Sequence, residues 1–510
     1  MVVNISMVRY IAILTLMLSI NASAQEYRDN ALFSFSGLQA TLNSQLTKGQ
    51  PIAAARSISI NRKLVALEAG QRFLFPLSDD EAIEITVSSA TTLQNGDTLL
   101  KGSFASGGSA IITFGANVTF ANLNSAEHSY AISLDQNQNA LLINNKLINL
   151  EIDKSNDMVY PPDFEPMSHL REPVKVPSNI HTAEMNSGKS EVTVLFIYSN
   201  EFANGFTSPV TRINQMIAFS NDAYVRSGIN IELKLAHAQQ VNFNNAENIG
   251  TLLSQSRAGT GSFSNVHAIR NQYYADMVAV LPFKASGGIG GVAYVNGNNQ
   301  AFAYSVSQFA PWGSDSLFAH EIGHNLGSGH ERISANSSQS SPCSGGYTGY
   351  ACGHGNNSEG TIMSYLNDRA WGFVFSNPQL NCLGAPCGIA NGQANAADNR
   401  TSFNITGPLI EDFRVDTSND DDKDGIKNDV DNCPNVANTN QLNTDSDSQG
   451  DACDNDDDND GVNDSVDNCS LVENADQLDT NGNGIGDACE SSDICFPIKG
   501  SSGKTAVVCL

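Results

Sequence analysis

The chain has 510 residues, 40% hydrophobic and 16% charged, with a net charge of −27. That length exceeds one ordinary domain and allows at least one sizeable core. The charge is concentrated: residues 416–490 hold 22 Asp/Glu against 2 Lys and no Arg, leaving −7 for the other 435 residues. This balance excludes the basic patches that nucleic-acid binding needs, and it points to a cation-loaded segment.

Residues 1–24 read as a secretory signal peptide: Arg9 supplies the positive charge, Tyr10 to Ile20 the apolar run, and Ala22-Ser23-Ala24 the small-residue cleavage site. That run falls short of the ~20 residues of a spanning helix, and no other stretch reaches that length. A secreted protein without a transmembrane segment is expected. None of the 10 cysteines precedes Cys343, and export with clustered cysteines points to disulfides.

Within a region spanning 25–188, residues 25 to about 160 alternate short apolar runs, such as Ile83 to Val87, Ala110 to Phe114 and Ala140 to Ile143, with polar turns such as Asn95-Gly96. This predicts a mostly β region, placed like a pro-region that assists folding or covers an active site. An independent binding module is the alternative. A Pro-rich linker over 160–188 (Pro161, Pro162, Pro166, Pro173, Pro177) closes it and suits proteolytic processing.

A second domain is predicted over 189–415. Glu191 to Tyr198 and Met277 to Leu281 read as buried strands, Ile229 to Leu235 as an alternating strand, and Ala301 to Val306 as a further strand. Residues 209–226 have helical spacing. Asp315 or Ser316 can cap a following helix. That helix carries His320-Glu321-Ile322-Gly323-His324, and the chain continues to Gly327 and His330. Histidines four apart project from one helical face and can share one tetrahedral Zn²⁺. Glu321 between them reaches the open metal position as a base. Gly327 tolerates positive φ, so the helix can stop and the chain can bring His330 back as third ligand. Three protein ligands leave one position open, as a catalytic site requires. A chance histidine cluster is the plain alternative.

The H-E-x-x-H-x-x-G-x-x-H motif, with Gly360 to Tyr365 downstream, resembles the metzincin zinc peptidases. The resemblance implies an α/β (α+β) catalytic domain with a mixed sheet and an active-site helix. It implies that Met363 forms the turn beneath the histidines and that Tyr365 supports the oxyanion. It also implies that the strand before the helix is an exposed edge where substrate pairs. Asn214-Gln215, Gly228 to Asn230, Ala275 to Val278, Phe375 to Pro378 and Ala396 to Asn399 narrow the likeness to bacterial peptidyl-Asp metalloendopeptidases and reprolysin-like peptidases. Glu331 stands where the reprolysin-like group usually has Asp. Cleavage beside Asp would need a cation after the methionine turn, with Arg369 and Arg332 as candidates and a surface arginine as the other reading of each. Some metzincins are capped by a pro-region aspartate; Asp153, Asp157 and Asp163 are the candidates here. With no upstream cysteine, a thiolate cannot serve.

Cys343, Cys352, Cys382 and Cys387 allow three pairings. From Asp420 the chain repeats with period 36. Asp420, Asp422, Asp424, Asp431 and Cys433 recur as Asp456, Asp458, Asp460, Asp467 and Cys469, with Asp464 opposite Asn428. Asp445, Asp447, Asp451 and Cys453 recur as Asn481, Asn483, Asp487 and Cys489, and Asp479 stands opposite Asn443. Alternate acids around a glycine turn suit Ca²⁺. Residues 416–490 resemble thrombospondin type 3 repeats, irregular and calcium-bound, which implies pairs Cys433–Cys453 and Cys469–Cys489. A solvated acidic linker is the alternative. Residues 491–510 read as a disulfide hairpin or a sorting tail.

These readings converge on a multidomain, secreted zinc endopeptidase with protein or peptide substrates. The acidic repeats are its expected link to extracellular matrix or a cell surface. The competing reading is a calcium-dependent adhesive protein with a vestigial peptidase domain.

Overall fold

Alternating burial builds the N-terminal domain. Strands β1 (Phe33–Phe35), β2 (Ala55–Ile60), β3 (Arg72–Pro76), β4 (Ala82–Thr92), β5 (Thr98–Phe104), β6 (Gly108–Phe114), β7 (Thr119–Asn124), β8 (Ser129–Leu134) and β9 (Ala140–Asn144) form one sheet in the order 1-2-9-8-7-6-5-4-3. Neighbours are antiparallel. The outer strands meet where Ala31 bridges Leu74 and the Leu32 N–H donates to the Leu74 carbonyl at 2.7 Å, which closes the sheet on itself. Phe33, Phe73, Phe75, Ile112, Phe114 and Leu123 fill the interior. In β4, Ile85 and Val87 are buried while Glu84 and Thr86 are exposed, the period-2 pattern of a sheet with one wet face. Strands β6 and β7 break that pattern and are buried at every position, because their outer face packs on the next domain. Val118, Phe120 and Leu134 belong to that domain's core.

This computed structural model describes residues 30–36, 55–147, 157–161, 189–283, 290–308, 315–331, 348–364, 371–414, 421–422, 428, 431–438 and 441–490, except 106, 126, 135–137, 349, 357–358, 394 and 412, together with the backbone of 495–499 and 505–509. The expected signal peptide, most of the Pro-rich linker, Tyr365, Arg332, Arg369, Cys343, Asp420 and Asp424 lie outside them. The chain divides into two compact units, Met1–Arg414 and Val415–Leu510.

The second domain is a six-stranded mixed sheet in the order β10 (Met158–Val159), β14 (Gly291–Tyr294), β15 (Tyr304–Ser307), β13 (Met277–Leu281), β11 (Ser190–Tyr198), β12 (Ile231–Gln240). Strands β12, β11, β13 and β15 run parallel, and β14 is antiparallel to β15. On one face pack α1 (Pro209–Ser227) and α2 (Asp315–Asn325), sharing a core with Phe196, Phe219 and Ile322. Pro209 stands in the first turn of α1, where its missing N–H costs nothing. Gly228 ends the helix at φ +70°, its N–H donating back to the Tyr224 and Val225 carbonyls.

One expectation is corrected. The strand just before the active-site helix, β15, is interior, held between β13 and β14. The domain's own outer strand is β14, and β10 covers it in parallel register, Met158 to Ala293 and Val159 to Tyr294. The four residues of β14, between Gly290 and Val295, carry no alternation, so β14 reads as loop in the sequence.

In the C-terminal unit the two repeats share their internal bonding. Asp431 accepts from the Cys433 N–H and the Gln441 amide; Asp467 accepts from the Cys469 N–H and the Gln477 amide. Disulfides join Cys433–Cys453 and Cys469–Cys489. Cys382 pairs with Cys387, and Cys352 is also disulfide-bonded. The backbone of Cys495–Lys499 pairs antiparallel with Thr505–Cys509.

Candidate metal centre

Helix α2 puts His320 and His324 on one face, ring centroids 4.8 Å apart. It stops at Gly327, whose φ of +96° few other residues adopt. The Gly327 N–H donates to the His324 carbonyl at 2.8 Å and the Ser328 N–H to the Gly323 carbonyl at 2.9 Å. Gly329 then bridges Cys352, which sends His330 back over the helix. The His330 Nε2 lies 3.1 Å from the Nε2 of both His320 and His324. Ligands at ~2.0–2.1 Å on the corners of a tetrahedron would stand about 3.3 Å apart.

The other ring nitrogens fix which lone pairs face inward. The His320 Nδ1 donates to the Ile362 carbonyl at 2.6 Å, and the His324 Nδ1 to the Ser328 carbonyl at 2.7 Å. In the neutral ring this leaves the Nε2 lone pair as the atom that a metal would take. Burial, with the neighbouring His330 and His320, holds His324 well below the usual histidine range, in the neutral form that binds metal. Three ring nitrogens converging at these distances fit a zinc ion. The Ile362 carbonyl belongs to the turn that carries Met363, which is fully buried. The Met363 sulfur occupies space that a Cβ on Gly323 would take.

Asp157 stands at the fourth corner. Its Oδ1 lies 3.1 Å from His330 Nε2 and its Oδ2 3.5 Å from His320 Nε2. Burial pushes this carboxyl up, but its pairing with His330 and then His320 outweighs that and holds Asp157 well below the carboxylate range. Pairing on β14 keeps it there: the Ala293 N–H donates to the Asp157 carbonyl and the Val295 N–H to the Val159 carbonyl, both at 2.9 Å. Asp153 and Asp163 lie outside the described residues. Glu321 is fully buried, and neither carboxylate oxygen has a hydrogen-bond partner among the described residues. Burial, then the Asp157 charge, raises it well above the usual range.

Sequence reasoning missed the support for α2. Arg212 of α1 pairs with Asp315, the first residue of the helix, at 2.7 Å. From the N-terminal domain the Asn122 amide donates to the other Asp315 oxygen at 3.2 Å. Gln215 joins Asn122 and Thr113 at 2.6 Å each. At the other end the Asn325 amide donates to the Tyr294 and Tyr304 carbonyls at 2.9 and 3.0 Å, which ties α2 to β14 and β15. These partners lie up to 193 residues apart in sequence, so no local pattern reveals them.

Among the expected calcium residues, the structure groups Asp456, Asp458 and Asp460, and groups Asp445 and Asp447 with the unanticipated Asp454; each trio has carboxylate oxygens within 4.8 Å of one another. Asp422, Asp431, Asp451, Asp464, Asp467, Asp479 and Asp487 stand outside these trios, and Asn481 and Asn483 donate their side-chain amides to Glu490. Asp451 and Asp487 accept from Thr444 and Thr480, and Asp464 from the Asp457 N–H.

Residues 190–393 match the model of metallo-peptidase family M12B, reprolysin-like. Residues 34–149 match a BamI lipocalin-like domain, and residues 418–441 and 443–477 match thrombospondin type 3 repeats. A peptidyl-Asp metalloendopeptidase of Stenotrophomonas maltophilia is 28% identical over 285 residues, 53% of this chain and 64% of that protein. One from Xanthomonas campestris is 28% identical over 243 residues, 46% and 55% respectively. One from Pseudomonas aeruginosa is 29% identical over 233 residues, 40% and 36%. The chain thus spans less than two thirds of the length of these relatives. Residues 190–393 form a reprolysin-like metallopeptidase domain of family M12B, set between a lipocalin-like β domain and thrombospondin type 3 repeats.

Proposed function

We propose that the protein is a secreted, zinc-dependent endopeptidase, folded here in a self-blocked form. The observation that carries this reading is the three Nε2 atoms converging beside the buried Glu321 carboxylate, which has no hydrogen-bond partner among the described residues. His320, His324 and His330 would hold the ion. Bound there, zinc supplies a Lewis acid for the scissile carbonyl and acidifies a water. Glu321 takes the proton of the attacking water and passes it to the leaving amine. Its raised proton affinity suits that exchange, and departure of Asp157 removes one of the two causes. Edge strand β14 offers its backbone to an extended substrate once β10 leaves it. Tyr365 remains a sequence-based candidate for oxyanion support. Preference for bonds beside Asp follows the printed names of the relatives, and calcium would sit on the two aspartate trios of the repeats.

The test is hydrolysis of an unfolded protein by the processed enzyme, with and without chelator, beside Glu321→Ala. Chelation should abolish activity. Glu321→Ala should lower kcat about 10²- to 10⁴-fold while zinc stays bound. Wild type and variant equally inert with zinc bound would replace this reading by the adhesive one. Mass-spectrometric mapping of the cut sites decides the Asp preference.

A further inference from the structure

Strand β14 passes unusually close over Glu321. A Cβ placed on Gly291 would lie 2.6 Å from the Glu321 Cδ and 2.7 Å from its Cγ, and nearer still to Oε1; the three nearest atoms all belong to this one side chain. Such distances are well inside the carbon–carbon contact range of ~3.5–4.0 Å. Gly291 is not among the residues of positive φ, so its backbone would accept alanine. What the glycine supplies is space.

Neither wall of that space can retreat freely. Gly291 pairs with Ser307, and the Gln308 N–H donates to the Gly290 carbonyl at 2.8 Å. Helix α2 is tied to the same strand by Asn325 on the Tyr294 carbonyl and by the Asn296 N–H on the His324 carbonyl at 3.0 Å. The movable part is the Glu321 carboxylate, which has no hydrogen-bond partner among the described residues.

We propose that Gly291 is a positioning residue for Glu321: the absent side chain leaves the carboxylate its place beside the three histidines. The proposal rests on the reading of Glu321 as general base. Gly291 touches neither metal nor substrate side chains in this role; it acts through Glu321 alone. A methyl group there shifts the base off the water it must deprotonate, whereas the histidines, anchored by the Ile362 and Ser328 carbonyls, stay in place.

The experiment compares wild type, Gly291→Ala, Glu321→Ala and the double variant for kcat, KM and bound zinc, with a crystal structure of zinc-loaded Gly291→Ala. Gly291→Ala should lower kcat about 100-fold, the scale of an ångström's misplacement, with KM and zinc content unchanged. In the Glu321→Ala background it should cost nothing further. Full activity of Gly291→Ala, an equal loss in both backgrounds, or an unmoved carboxylate in the crystal would each overturn the proposal. Should Gly291→Ala fail to fold, Gly291→Ala with Glu321→Asp relieves the overlap and restores a zinc-binding protein; failure of that pair overturns it too. An inert wild type with zinc bound sinks the peptidase reading, while the position of Glu321 in the variant still decides this one.

Discussion

His324 shows how much of the site rests on single hydrogen bonds. Its Nδ1 bond to the Ser328 carbonyl exists only because Gly327 lets the chain turn at φ +96°. Asp157 is the second decisive residue: on the proposed reading its carboxylate would fill the corner that a water would need. Asp157→Ala in the full chain should therefore raise peptide hydrolysis at least about tenfold over unprocessed wild type, equivalent to ~1.4 kcal/mol of lost blocking; equal rates would remove its role. Away from the site, Asp276 is buried beside Thr193 and Arg414, whose backbone N–H groups donate to it at 2.8 and 3.1 Å. Burial pushes it from 3.8 up to about 7 against those bonds. The folded state then keeps a proton that the unfolded chain has lost between these values, so stability falls as pH rises from 3.8 through about 7. Asp276→Asn should flatten the pH dependence of the melting temperature in that window.

At the scale of elements, the seam between the lipocalin-like sheet and the peptidase domain is built like a core. The outward positions of β6 and β7 include Thr113, Phe120 and Asn122, and all are buried. Phe120 packs edge-on against Phe206 with centroids 5.9 Å apart. Phe120→Ala should cost about 3–5 kcal/mol by denaturant unfolding; a loss below ~1 kcal/mol would mean the two domains do not share one core. The short, mostly apolar runs Ala110 to Phe114 and Ala131 to Leu134 are visible in the sequence, but what covers their second face is not. The position of β14 was illegible for a related reason. A strand of four residues has no periodicity to display, and only its pairing with β15 and β10 shows that it is there.

At the scale of the whole molecule, the described residues contain no helix long and apolar enough to cross a membrane, and most of the acidic charge lies in the second compact unit. Calcium added to the full chain should raise the melting transition of that unit, and Asp458→Asn should diminish the gain by removing a carboxylate from the Asp456–Asp458–Asp460 trio. No shift across millimolar Ca²⁺ would remove calcium from the account. The sequence by itself determined the histidine triad, its adjacent glutamate, the glycine that returns the third ligand, and the 36-residue acidic period. Each is written in local spacing, where helix pitch and turn geometry act over a few residues. Only the tertiary structure decided that Asp157 reaches the histidines, that β14 and not β15 is the outer strand, and that Asn122 and Gly291 support α2 and Glu321. Those outcomes depend on packing between segments far apart in the chain, which no local pattern encodes.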